Sequence, residues 1–133
     1  MLFSQDMIPP ADVRAMSPRL LAYIGDAVFH LFEREREIMS ASTASQMHRN
    51  STKRASAKGQ ADLLDIIESE LSAEEADIVR RARNLKSPQR RANQAEYRRA
   101  TAFEALVGFL YLTDAARLQR ILERTVTSIK AAE

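Results

Sequence analysis

Two carboxylates lie in segments of the chain that are otherwise apolar. Asp26 lies within LLAYIGDAVFHLF, and Glu104 lies within ATAFEALVGFLYL. Burying a lone carboxylate costs several kcal/mol, so each acid needs a partner. Three partners are open: a base from elsewhere in the chain, the other acid through a shared proton, or a divalent cation. The cation alternative predicts an enzyme, and the base alternative predicts a structural ion pair.

The composition is that of one soluble domain. The chain has 133 residues, of which 45% are hydrophobic and 29% charged, and its apolar runs fall short of the roughly 20 residues of a membrane-spanning helix. It contains no cysteine, which excludes disulfides, thiolate catalysis and Cys-ligated zinc. No targeting segment is evident in residues 1–15, which we interpret as an N-terminal extension of a single domain. We expect a cytoplasmic protein without membrane contact.

The spacing of apolar residues predicts an all-α fold. Ser17 and Pro18 suit the start of a helix that ends near Ser40. Its predicted buried face contains Leu21, Ala27 and Phe32 and a core stripe of Leu20, Ile24, Val28 and Leu31. Ser72 and Glu75 form a capping-box pattern. Further helices are predicted over residues 43–58 with a break or bend at Gly59, over 61–70, from the capping box toward Asn84, over 94–112, and after Asp114, with a loop at 85–93.

The predicted helices place both acids beside small residues. Asp26 shares a stripe with Ala22 that is displaced from the predicted core stripe, and Glu104 shares one with Thr101 and Gly108. Such residues allow two helices to approach closely, so a shared cleft is geometrically possible. Asp26 and His30, four residues apart, could also bind a metal together, although a structural role is commoner for an isolated pair of this kind.

Charge is strongly segregated along the chain. Residues 59–79 carry seven acids and no base, whereas residues 80–99 carry eight bases and the single acid Glu96. Basic side chains interleaved with Asn, Ser and Gln suit contacts to phosphate. Salt bridges between the basic and acidic segments explain the same pattern. Charge alone does not separate the two interpretations.

Both acidic segments resemble motifs of the ribonuclease III family. LAYIGDAVFHLF is similar to the signature helix of that family, and TAFEALVGFLYL is similar to its second acidic motif. The SAKGQ stretch, the RRARNLKS segment and YRRATAFEALVG are similar to the Mini-III branch, which consists of the catalytic domain alone. The resemblance covers nearly the whole chain from about Met16.

This resemblance implies a helical, homodimeric endoribonuclease that hydrolyses double-stranded RNA with Mg²⁺, for which Mn²⁺ can substitute. By position, Asp26 and Glu104 match the family's metal ligands. Arg19, Ala22 and Thr101 stand where the family has further carboxylates, so the number of metals is open. The implied substrate is the precursor of the large (23S) ribosomal RNA. A catalytically silent RNA-binding or ribosome-associated homologue is the alternative.

The sequence also carries expectations about RNA binding and dimer formation. Tyr23 matches a family position whose aromatic residue crosses to the partner subunit, so it is expected at a dimer interface. The glycines are isolated rather than part of a phosphate loop, which argues against a nucleotide cofactor. The expected RNA contacts are Lys53, Arg54, Lys58, Arg83, Asn84, Lys86 and Arg98.

Overall fold

The described part of the chain is almost entirely helical. The structure, a computed structural model, describes residues 8–40, 43, 45, 53–85 and 93–132. Over these residues it contains no strand, which confirms the predicted all-α class. None of the described helices combines the length and apolarity that crossing a membrane requires. The helices are α1 (Pro10–Ala15), α2 (Pro18–Ser40), α3 (Ala57–Ile67) with a short 3₁₀ turn (Glu68–Glu70), α4 (Ala73–Arg83), α5 (Gln94–Thr113) and α6 (Ala115–Ala132).

Side-chain caps fix several helix starts where the sequence predicts them. The Ser72 hydroxyl accepts a hydrogen bond from the Glu75 backbone N–H at 3.2 Å, and Glu75 accepts one from the Ser72 N–H at 2.8 Å. The predicted capping box of α4 is therefore confirmed. Asp114 accepts a bond from the Arg117 N–H at 3.1 Å at the start of α6, also as predicted.

The boundary before α3 differs from the prediction. Residues 53–55 are helical, but Ser56 caps the next helix by accepting a bond from the Gly59 N–H at 3.0 Å. The chain therefore breaks at Ser56, and Lys58 belongs to α3. A serine cap determines this boundary, whereas Gly59 continues inside the helix. Helix α1 was not predicted, and most of the predicted 43–58 helix and 85–93 loop lies outside the described residues.

Helix α5 forms the centre of the fold. Its residues from Ala102 to Leu110 are buried on every side, apart from the partly buried Glu104. Helices α1, α2, α3, α4 and α6 all pack against it. An apolar helix surrounded by its neighbours has no polar face. Glu104 is consequently a carboxylate on the central element of the core.

The buried face of helix α2 is displaced from the predicted core stripe. Leu21 is buried as predicted, together with Ala22, Gly25 and Phe29, whereas Leu20 and Leu31 of the predicted core stripe are exposed. Apolar side chains occur on both sides of this helix, so spacing alone selects the wrong face. The stripe that contains Asp26 runs along the edge of the true core face.

Two acids extend the buried face of α2 beyond its apolar part. Glu33 is 1% exposed and Glu37 is 8% exposed. The Arg54 guanidinium donates to Glu33 at 2.6 Å and to the buried Thr125 hydroxyl at 3.2 Å, and Arg36 donates to Glu33 at 3.3 Å. A base from a distant part of the chain thus stabilises a buried acid, which is why helical periodicity could not assign this face.

Candidate active site

The two site helices cross at a pair of glycines. A Cβ atom on Gly25 would overlap the backbone oxygen of Glu104, and a Cβ atom on Gly108 would overlap the backbone oxygen of Leu21. Both glycines therefore allow the backbones of α2 and α5 to lie in direct contact. Asp26 directly follows Gly25 and thereby lies beside Glu104. The close approach of the two helices that the small residues allow is therefore present, and the charge of Asp26 acts on the Glu104 carboxyl.

An aromatic pair fixes this crossing one turn further along. The Phe29 and Phe103 rings meet edge to face with centroids 5.2 Å apart and planes at 90°. Both side chains are fully buried. Edge-to-face packing is a preferred arrangement of aromatic rings. This packing fixes the register of α2 and α5 next to the two carboxylates.

Asp26 is half exposed, so its predicted burial is wrong. Its side chain retains 51% of its accessible surface, and the Asp26 carboxylate lies 3.3 Å from Nδ1 of His30. The same His30 nitrogen lies 2.7 Å from the Asp26 backbone oxygen. This contact within one helical turn gives His30 a local structural partner. The exposed carboxylate remains accessible to a cation or a substrate.

Glu104 is partly buried, and its carboxyl is strongly perturbed. Burial and the negative charge of Asp26 raise the pKa of Glu104 to about 8, against an opposing hydrogen bond from the Gln60 side chain. Two carboxylates that repel each other beside an apolar core favour one proton or one cation between them. Perturbed acids of this kind cluster at functional sites.

Gln60 is a member of this site that the sequence analysis missed. Its side chain is 1% exposed on α3, and its Nε2 donates to the Ala55 backbone oxygen at 3.3 Å. Its Oε1 is buried and has no hydrogen-bond partner in the part of the chain that the structure describes. The available signal was a polar residue on the stripe of Leu63, Leu64 and Ile67, which are all buried.

The donor set fits a hard divalent cation. Mg²⁺ and Mn²⁺ prefer oxygen ligands, usually a few carboxylates with water in the remaining positions. Asp26 and Glu104 provide carboxylate oxygens, and the Gln60 side chain, which interacts with Glu104, has a buried amide oxygen without a hydrogen-bond partner among the described residues. Among the described residues, no group of three or more His, Cys, Asp or Glu could hold a metal. Any cation here would therefore depend on few protein ligands.

The expected RNA contacts lie in different environments. Arg54 retains only 14% of its side-chain surface and pairs with Glu33, so its guanidinium belongs to the protein interior. Lys53, Asn84 and Arg98 are exposed on the surface. Lys86 lies outside the described residues.

Several other bases pair with the acidic segment. Lys58 lies 3.0 Å from Asp62, and Arg83 lies 3.4 Å from Glu68. Arg99 contacts both Asp65 and Glu68. For these bases, salt bridges to the acidic segment therefore explain the charge pattern. Lys58 remains largely exposed despite its partner, so its ion pair contributes little and does not exclude a phosphate.

The outer face of α2 presents a row of exposed apolar side chains. Tyr23 is 83% exposed and Ile38 is 73% exposed, and Leu20 and Leu31 lie on the same side. Next to this row is a groove of about 410 Å³ between α2 and α6, with Leu31, Phe32, Tyr111 and Leu118 in its wall. Exposed apolar side chains that cluster on one face of a helix favour an interaction site.

Known proteins with similar sequences and folds identify the family of this chain. The Ribonuclease III domain profile matches residues 19–115. A Mini-ribonuclease 3 of Thermoanaerobacter sp. is 41% identical over 97% of this chain and 94% of its own length, and one of Gloeobacter violaceus is 41% identical over 85% and 84%. A crystal structure of a Fusobacterium nucleatum protein, 29% identical, superposes with a TM-score of 0.76 over 92% of this chain and 98% of that one. With both acidic motifs on one helix crossing and this agreement along nearly its whole length, the chain belongs to the ribonuclease III family of endoribonucleases.

Proposed function

We propose that this protein hydrolyses phosphodiester bonds of double-stranded RNA at a divalent-cation site formed by Asp26 and Glu104. Mg²⁺ is the proposed ion, with Mn²⁺ as a substitute. The observation that carries the proposal is the juxtaposition of a half-exposed carboxylate, Asp26, and a partly buried one, Glu104. Burial, together with the charge of Asp26, raises the pKa of Glu104 to about 8. A cation between them relieves both the repulsion and the cost of burying Glu104.

In this reaction the role of the chain's own residues is to bind and orient the cation. The cation, when bound, supplies a water of lowered pKa and stabilises the leaving oxygen. Asp26 and Glu104 hold it from two helices whose crossing is fixed by Gly25 and Gly108. No cysteine is available as a nucleophile, and the His30 ring is occupied by contacts within its own helix. Cation-assisted hydrolysis is therefore the chemistry that these residues suit best.

Substrate binding is assigned to exposed basic and polar side chains other than the two site carboxylates. A-form RNA is bound mainly through its phosphates, 2′-hydroxyls and shape, which requires donors rather than a deep pocket. Lys53, Asn84 and Arg98 have the required exposure. Lys58 and Arg83 are added as donors that also hold an acidic partner, and Lys86 is added from the sequence alone.

A homodimer is proposed through the outer face of α2. Burial of exposed apolar surface is a main source of stability in homodimer interfaces. Tyr23 extends from this face, and the apolar groove beside Leu31 offers a place for a side chain from a second copy. Two-fold symmetry places each exposed row against its equivalent.

The natural substrate that we propose is the precursor of the large (23S) ribosomal RNA, in the cytoplasm. This assignment rests on the resemblance to the Mini-III branch. Its direct test is the RNA of cells that lack the protein, in which unprocessed ends of the large ribosomal RNA should accumulate. Normal ends would contradict the assignment without affecting the cleavage chemistry.

The proposed site is tested by incubating purified protein with long double-stranded RNA. Wild type should cleave it with Mg²⁺ and not after chelation. Asp26→Asn and Glu104→Gln should each reduce the rate more than about a hundredfold, which is the scale of losing one strong electrostatic contact. Asp77→Asn and Glu74→Gln make the same chemical changes at exposed ion pairs on α4 and should cleave like wild type. Cleavage by either site variant within a few-fold of wild type would contradict the site.

Absence of cleavage by wild type in all these conditions would favour the catalytically silent alternative. RNA binding distinguishes that protein from an inactive preparation, because a silent RNA-binding homologue retains affinity for double-stranded RNA. A protein that neither binds nor cleaves such RNA would contradict both functions.

A further inference from the structure

The side chain of Gln60 is a polar group that the fold buries without satisfying. It lies on α3, is 1% exposed, and interacts with the Glu104 carboxyl, which also feels the charge of Asp26. Its Oε1 has no hydrogen-bond partner in the described part of the chain. Buried polar atoms are nearly always paired, so an exception in a side chain that contacts Glu104 requires an explanation.

The orientation of the amide is determined by its surroundings. Nε2 donates to the Ala55 backbone oxygen at 3.3 Å. Rotating the amide by 180° would place Oε1 against that carbonyl, where two acceptors would repel each other. Because Nε2 is the donor toward Ala55 and Glu104, Oε1 is the atom that has no hydrogen-bond partner among the described residues.

We propose that Gln60 is a third protein member of the divalent-cation site, whose amide oxygen serves the coordination shell of the ion. The chemistry of the atom supports this assignment, because neutral amide oxygens are ligands of hard cations and acceptors for the waters that such cations retain. An ion beside Asp26 and Glu104 also supplies the partner that Oε1 lacks. This inference rests on the proposed cation site and adds a residue that neither carboxylate motif contains.

The alternative is that Gln60 acts only as a donor, by holding the Ala55 carbonyl and the Glu104 carboxylate. Two substitutions separate these roles. Gln60→Met keeps the length of the side chain and removes both the donor and the oxygen. Gln60→Glu removes the donor but keeps oxygen atoms at the same reach.

The test measures Mn²⁺ binding to RNA-free protein at pH 8.5, from the electron paramagnetic resonance signal of free Mn²⁺. Gln60→Met should bind at least about tenfold more weakly than wild type, the usual scale for losing a supporting group of a metal site. Gln60→Glu should bind as tightly as wild type or more tightly. Thr125→Val removes a different buried hydroxyl, which contacts Arg54, and should leave the affinity unchanged. Gln60→Leu replaces the Met variant if that protein does not fold.

Each outcome has a distinct meaning. Wild-type affinity in Gln60→Met, or equal weakness of the Met and Glu variants, would overturn the role of the Gln60 oxygen. The Asp26→Asn and Glu104→Gln proteins are measured in the same series. If these two bind Mn²⁺ like wild type, the proposed carboxylate site itself is wrong, whereas weak binding in both with normal binding in Gln60→Met removes Gln60 alone.

Discussion

Gly25 lies directly against the backbone oxygen of Glu104, so that α2 and α5 touch where the two site carboxylates meet. The absence of a side chain at Gly25 therefore positions Asp26. In an open helix, replacing Gly with Ala stabilises by about 1 kcal/mol. Here the added methyl group would overlap a backbone atom, which cannot move without separating the helices.

Gly25→Ala is accordingly expected to destabilise the protein by about 1–3 kcal/mol or more, the range of overpacked cores. It should also reduce cleavage, because Asp26 moves away from Glu104. Urea unfolding and the cleavage rate below the melting transition measure the two effects. An increase in stability would show that the helices do not cross as closely as described.

The raised pKa of Glu104 predicts how stability depends on pH without metal. The folded protein keeps the Glu104 proton up to about pH 8, whereas the unfolded chain releases it near the ordinary glutamate pKa of 4.5. Between these values the folded state binds more protons, so this group's contribution to stability falls as pH rises. Above pH 8 the loss is complete.

Glu104→Gln should therefore gain stability relative to wild type as the pH increases from 5 to 8.5 in the presence of a chelator. Melting temperatures at both pH values measure this difference. Glu74→Gln, at an exposed ion pair with Arg14, should show no such gain. A constant difference between Glu104→Gln and wild type at the two pH values would contradict the raised pKa.

Local signals in the sequence predict helix ends better than helix faces. The capping box at Ser72 and Glu75 needs only residues three apart, and it forms as expected. The buried face of α2 depends on Arg54, which neutralises Glu33 from 21 positions away. A sequence read one segment at a time contains no record of that pairing. The exposed apolar row of α2 consequently resembled core.

The site was predictable in part for the same reason. The two acids could be identified because each is the conspicuous charge in an apolar segment, and the small residues around them indicated a close helix crossing. Gln60 is neutral and comes from a third helix, so charge patterns do not reveal it. Arg54 belongs to a basic segment, yet its partner Glu33 holds it in the interior. Tertiary pairing decides which bases face solvent.

The exposed row of α2 predicts the oligomeric state. Wild type should sediment as a dimer at micromolar concentration, and Tyr23→Arg should shift the protein toward monomer by placing a charge in the apolar interface. Ala76→Arg introduces the same side chain at an exposed position of α4 and should remain dimeric. A well-folded wild-type monomer would contradict the proposed interface.

Neighbouring arginines on α5 separate RNA binding from structural pairing. Arg98 is exposed, whereas Arg99 is held by Asp65 and Glu68 and retains 24% of its side-chain surface. If Arg98 contacts phosphate, Arg98→Ala should weaken binding to all double-stranded RNA sequences and lower the salt dependence by about one counterion. Its melting temperature should stay near that of wild type.

Arg99→Ala should show the opposite pattern, because it removes the partner of two acids at the junction of α3 and α5. We expect a lower melting temperature with a smaller change in affinity. Both variants are measured at two salt concentrations in chelator, so that binding is separated from cleavage. Unchanged affinity and salt dependence in Arg98→Ala would remove this residue from the RNA surface. Arg83→Ala, which loses a weaker contact to Glu68 at 3.4 Å, should then show whether any base of this segment contacts RNA, since its ion pair leaves the guanidinium partly exposed.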